Sequence, residues 1–82
     1  MKRVVYRKQA QKVLRRLPPK LCNQIRSKIL DYAVGRPADV TRLTGSDLLR
    51  IRCGDWRVIV ADNSVVVEVI RIVPRGDAYK RF

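Results

Sequence analysis

Apolar and polar side chains alternate through residues 48–60, LLRIRCGDWRVIV, a pattern that predicts two antiparallel strands folded over a tight turn. Residues 48–53 form one side, Gly54-Asp55 the reversal and residues 56–60 the return strand. Successive strand side chains point to opposite faces, so Leu49, Ile51 and Cys53 share one face while Arg50 and Arg52 share the other. Arg57 begins the return strand close to the turn, within cross-strand reach of that second face. The hairpin is thus expected to carry an apolar face and a cationic one, and guanidiniums gathered on one surface call for an anionic partner such as a phosphate backbone.

Before this hairpin the period changes twice. Residues 3–6, RVVY, carry a short strand signal with Val4 and Tyr6 on one face. From Lys8 onward, Ala10, Val13, Leu14 and Leu17 follow the spacing of an amphipathic helix, with Lys8, Lys12, Arg15 and Arg16 largely on its outer side. Pro18-Pro19 ends that helix and can open the next, since proline is tolerated in a first helical turn. Leu21, Ile25, Ile29, Leu30 and Ala33 mark a second helix running to about Val34, capped by Gly35 and stopped by Pro37. Residues 36–47 lack a sustained period and read as a connecting loop, with Arg42 and Leu43 as a short lead-in to the sheet. After a turn at Asp62-Asn63-Ser64, the β-branched run at residues 65–73 predicts a central strand buried on both faces, in which Glu68 pairs with a neighbouring arginine. The expected architecture is a single α+β domain over residues 1–82. It consists of a short N-terminal strand, a helical hairpin and a three-stranded antiparallel meander, with the helices packed on one side of the sheet.

Charge sharpens this picture. The 82 residues carry a formal net charge of +12. Eleven basic residues and one acid fall within the first 36 positions, leaving eight basic residues and six acids for the rest. Such a composition favours polyanions, and nucleic acid is the expected partner class. No apolar run of about 20 residues, signal peptide or lipidation motif is present, so no membrane partner is expected and a cytoplasmic location is the default. With two cysteines and no histidine, a zinc site or a Cys/His catalytic pair lacks ligands, no cofactor is expected, and Cys22 and Cys53 are read as core residues. Trp56 is read as a packing residue at the hairpin, and Asp55 and Asp77 as turn formers.

The G-D-W-R-V-I block at residues 54–59 and the P-R-G-D-A-Y-K block at residues 74–80, in this order of elements, resemble the RelE toxins of bacterial and archaeal toxin-antitoxin pairs over nearly the whole chain. The resemblance implies a ribosome-dependent endoribonuclease that cuts messenger RNA in the decoding site, together with a cognate antitoxin that silences it. Arg57 matches the family arginine associated with transition-state stabilisation, Arg75 a C-terminal catalytic arginine and Tyr79 the tyrosine that follows. Arg50 and Arg52 stand where the best-known bacterial member has lysines. Arg42, Lys80 and Arg81, with Lys8, Lys12, Arg15 and Arg16, are the expected contacts to mRNA and ribosomal RNA. The wider superfamily includes ParE-type toxins of this fold that act on DNA gyrase, and a non-catalytic RNA-binding role is the third alternative.

Scission by a 2′-hydroxyl requires its deprotonation, stabilisation of a phosphorane dianion and protonation of the departing 5′-oxygen. Arginine suits the middle task, being planar, permanently charged and able to contact two phosphate oxygens at once. A guanidinium is a poor base, so the arginines at positions 50 and 52 leave the base open: either Tyr79 takes the role or a lysine base has been lost. The isolated protein is expected to be a weak catalyst that depends on the ribosome to align the RNA.

Overall fold

The computed structural model describes residues 1–76. Seven elements follow one another: β1 (Arg3–Tyr6), α1 (Lys8–Arg16), α2 (Pro19–Ala33), β2 (Val40–Arg42), β3 (Leu49–Cys53), β4 (Trp56–Asp62) and β5 (Val66–Pro74). The strands form one sheet in the order β1-β5-β4-β3-β2. Strands β2 to β5 run antiparallel in sequence order, while β1 lies parallel to β5 with Arg3 opposite Val66 and Tyr6 opposite Val69.

The helices begin and end where proline and glycine dictate. Pro19 opens α2, where its missing N–H costs nothing. Gly35 leaves it with φ +85°, a left-handed conformation that a side chain would oppose. Ala10 and Leu14 of α1 and Ile25, Ile29 and Ala33 of α2 are buried against Ile51, Val58, Val60, Val67, Val69 and Ile72 of the sheet. Both helices therefore cover the same sheet face, and removing their apolar stripe from water supplies the main driving force for folding. Cys53 is buried in this core, whereas Cys22 and Trp56 are half-buried at its margin.

Two features depart from the pattern read along the chain. The stretch taken as a loop contains an edge strand, β2, whose residues Val40, Thr41 and Arg42 pair with Ile51, Arg50 and Leu49. The meander thus has four strands, since three residues are too few to establish an alternation, and pairing with β3 supplies what local propensity does not. The β-branched run also forms an interior strand, but its two faces differ: Val67, Val69 and Ile72 enter the core while Glu68 and Arg71 face away from the helices.

That second departure arises from a shift in register. Val60 pairs with Val69 but Ile59 pairs with Arg71, so Ile70 is left over. Strict alternation puts positions 68 and 71 on opposite faces, and the extra residue returns both to one face. Next to it, Gln9 of α1 holds the exposed edge of β5. Its amide accepts from the Ile72 N–H at 2.9 Å and donates to the Ile72 carbonyl at 3.2 Å, standing in for a strand partner where β1 has ended.

A second tie closes the opposite end of the sheet. Lys2 Nζ lies 2.6 Å from Asp62 Oδ2, and the Tyr32 hydroxyl donates to the same oxygen. The ammonium also sits 5.2 Å from the Tyr32 ring centroid. Burial alone raises the Asp62 carboxyl, but hydrogen bonds from Lys2, Tyr32 and the Ser64 N–H outweigh it and leave the group below its ordinary value. Burial and the adjoining carboxylate push the Tyr32 phenol up to about 12.

Candidate nucleic-acid interface

The face of the sheet turned away from the helices carries the arginines. In β3 and β4, Arg52 lies directly opposite Arg57 and Arg50 directly opposite Ile59, whose other neighbour is Arg71 of β5. Paired residues share a face, so Arg50, Arg52, Arg57 and Arg71 project together from adjoining rows. The cationic face expected from the hairpin alternation is thus present, and Arg57 belongs to it.

Arg57 differs from its neighbours in being 6% exposed. Its Nη1 donates to the Gly54 carbonyl at 2.7 Å and to the Trp56 carbonyl at 2.9 Å. Gly54 makes this possible by turning with φ +57°, which directs the chain back on itself beside the guanidinium. No carboxylate among the described residues pairs with Arg57. Its Nε and Nη2 make no hydrogen bond among those residues. A planar donor pair presented this way matches two oxygens of a phosphate.

The other arginines are arranged differently. Arg52 is exposed and stands 3.9 Å from the equally exposed Asp39, a loose pairing that costs little to exchange for another anion. Arg50 is half-buried, flanked in register by Thr41 and Ile59. Arg75 is exposed, and its backbone N–H donates to the Asp55 carbonyl at 2.8 Å, which fastens the end of β5 to the hairpin turn beside Arg57. Tyr79, Lys80 and Arg81, with Asp77, lie outside the described residues.

Several expected RNA contacts sit elsewhere. Arg42 pairs with Leu49, whose side chain packs on the core, so it projects from the helical side of the sheet edge and is held by Asp47 at 2.8 Å. Lys8, Lys12, Arg15 and Arg16 are exposed on α1, across the sheet from Arg57. Glu68 pairs with Arg7 at 2.9 Å. Arg71 was not singled out as a site residue by its sequence, because only the register shift turns it toward Arg50 and Arg57. No lysine occurs on any of the five strands. Among the described residues no group of three potential metal ligands occurs, and no helix is long and apolar enough to cross a membrane.

Solved structures resemble this arrangement closely. The RelE-RelB complex from Pyrococcus horikoshii contains a chain 33% identical to this one, matched over 92% of this chain and 96% of that one with a TM-score of 0.71. The chain belongs to the RelE toxin family. The RelB-RelE antitoxin-toxin complex from Methanococcus jannaschii shares the fold at 20% identity and a TM-score of 0.73, covering 95% of this chain and 98% of that one. The intact RelBE complex of Escherichia coli does so at 23% identity and 0.68, covering 90% and 96%. No family model and no curated protein matches the sequence. The RelE relationship accords with an α+β domain whose helices cover one sheet face and leave the other for arginines.

Proposed function

We propose that this RelE toxin is a ribosome-dependent endoribonuclease that cuts messenger RNA, stops translation in the cytoplasm, and is held inactive by a cognate antitoxin. The observation that carries the proposal is Arg57: a buried guanidinium anchored by turn carbonyls, opposite Arg52, which among the described residues has no acid beside it and no partner for Nε and Nη2. Leaving a cation buried without a counter-ion is costly, and the cost is recovered when a doubly charged phosphorane occupies the site.

In the proposed reaction the 2′-oxygen forms a bond to the adjacent phosphorus as its proton leaves. The bond from phosphorus to the 5′-oxygen then breaks and that oxygen takes up a proton, giving a cyclic phosphate and a free 5′-hydroxyl. Arg57, with Arg52 and Arg50, stabilises the charge on the non-bridging oxygens, while Arg75 reaches the same phosphate from the end of β5. Tyr79 is the side chain left for proton transfer, given strands without lysine and a chain without histidine. Such a poor base at neutral pH makes the alignment supplied by the ribosome a requirement of the chemistry. Cations on both sides of the sheet support the same reading. A protein inserted between RNA surfaces meets phosphate on both sides, so Lys8, Lys12, Arg15, Arg16 and Arg42, together with Lys80 and Arg81, contact ribosomal RNA while the open face holds the message.

Primer extension on a translated message with programmed ribosomes tests the proposal. Wild type is expected to cut within codons and Arg57→Ala to lose on the order of 10²- to 10³-fold in rate, the usual cost of one oxyanion donor. An unchanged rate in a folded Arg57→Ala removes this residue from the mechanism. DNA damage without RNA cuts transfers the activity to gyrase.

A further inference from the structure

β5 loses its outer partner partway along. Its first half is paired on both sides, with β1 on one and β4 on the other, but β1 ends at Tyr6 opposite Val69. The Arg7 N–H reaches the Val69 carbonyl at 2.9 Å, and past that point the outer side of β5 faces no strand among the described residues. The arginine face depends on this second half. Arg71 lies in it, Val73 stands directly opposite Arg57, and at its end the Arg75 N–H donates to the Asp55 carbonyl of the turn at 2.8 Å. The same stretch follows the bulge at Ile70, where the ladder is interrupted and a strand bends most easily.

Gln9 supplies the missing outer side. Its side-chain amide accepts from the Ile72 N–H at 2.9 Å and donates to the Ile72 carbonyl at 3.2 Å. Peptide groups alternate along a strand, so with Ile72 turned outward, Arg71 and Val73 direct theirs toward Ile59 and Arg57 of β4. The clasp therefore falls on the residue between two that join β5 to the arginine rows. The next outward position is Pro74, which has no N–H to satisfy, so Ile72 is where an outer partner can hold this half by both donor and acceptor. Both ends of the clasp are rooted in the core, since Ala10 beside Gln9 and Ile72 itself are fully buried.

We infer that Gln9 is a positioning residue for the arginine face: by fixing Ile72 just past the bulge, it sets where Arg71 and Arg75 stand relative to Arg57. Gln9 acts through the backbone of β5 and not on the phosphate. What the arginines do rests on the ribonuclease reading given above, whereas how they are held rests on the clasp and the register. Groups that stabilise a transition state must be placed closely, and a displacement of about 1 Å can cost 10²-fold in rate.

The test sets Gln9→Ala against Asp62→Asn in the full chain, at a temperature where both are folded. Gln9→Ala is expected to lower kcat on programmed ribosomes by about 10- to 10²-fold with KM unchanged, the pattern of an interaction felt only in the transition state. Asp62→Asn removes a tie at the opposite end of the sheet and is expected to keep the wild-type rate. If the two variants slow cleavage alike, Gln9 serves stability alone and the inference is overturned. In chains already carrying Arg71→Ala or Arg75→Ala, the factor lost on Gln9→Ala is expected to shrink below about threefold in at least one. An undiminished factor in both overturns it. Should alanine unfold the chain, Gln9→Glu keeps the acceptor for the Ile72 N–H and is expected to show the same pattern at about three- to tenfold. NMR of the labelled chain reads the geometry without cleavage: Gln9→Ala is expected to shift the Arg71 and Arg75 amide signals and leave those of β2 in place. Unmoved Arg71 and Arg75 signals overturn the inference whether or not the protein cuts RNA. Shifted signals in a chain that cuts nothing support the positioning and count against the ribonuclease reading instead.

Discussion

Replacing Arg57 by lysine keeps its charge and removes its shape, which isolates what the buried fork contributes. In the structure one nitrogen serves two carbonyls, Gly54 at 2.7 Å and Trp56 at 2.9 Å, while Nε and Nη2 have no partner among the described residues. A lysine has one nitrogen on a flexible stem, so it can satisfy the turn or the phosphate but not both. On the stability side, Arg57→Ala forfeits two hydrogen bonds of about 1 kcal/mol each, offset in part because Gly54 is exposed and its carbonyl can take water. Unfolding in urea should therefore show a loss of about 1–2 kcal/mol for Arg57→Ala and less for Arg57→Lys. On the activity side, single-turnover cleavage on programmed ribosomes should fall by about 10²- to 10³-fold for alanine. Lysine is expected to recover no more than about tenfold of that, corresponding to roughly 1.4 kcal/mol of undirected electrostatic stabilisation. Full activity in Arg57→Lys would refute the claim that a planar donor pair, and not charge alone, stabilises the transition state.

Asp62→Asn should destabilise the fold by about 1.5–3 kcal/mol, the range for hydrogen bonds to a charged group, as read from thermal or urea unfolding. The folded Asp62 carboxyl sits below its ordinary 3.8, so its contribution is present above that value and disappears as pH falls through the folded one. The Tyr32 phenol is raised to about 12, so the tie it makes is complete below about pH 10 and is lost as pH climbs through the folded value. The stability gap between wild type and Asp62→Asn is accordingly expected to be flat through neutral pH and to close in acid. Gln9→Ala leaves the fully buried Ile72 without a partner for its N–H and carbonyl, and should cost about 2–4 kcal/mol in urea unfolding. Gln9→Glu keeps the acceptor and loses the donor, so it should fall between Gln9→Ala and wild type.

How far the structure could be read from residues alone depended on how much local pattern each element carries. The two helices announce themselves through Ala10, Leu14, Ile25 and Ile29 at helical spacing, with Pro19 and Gly35 as punctuation. The hairpin does so through Gly54 and its flanking alternation, which also put Arg50 and Arg52 on one face. β2 could not be read this way: Val40–Arg42 is a strand because β3 offers it an edge, a tertiary fact. The same holds for Arg71, since a single unpaired residue at Ile70 reverses the parity on which any face assignment depends. Burial of Arg57 was equally hidden, because its partners are carbonyls of the turn and no side-chain type encodes them.

The parallel pairing of β1 with β5 sets the order in which the molecule can be finished. Arg3 and Val66 are neighbours in space although 63 positions apart in the chain, so the earliest strand to be synthesised waits for the last. Contacts between such distant partners carry a large loop-closure penalty and slow the search for the native state. The Gln9 clasp and the outward edge of β1 both take their final positions only when β5 has docked. A toxin assembled in this sequence has its arginine surface completed only once β5 has been made, since Arg71 lies on that strand.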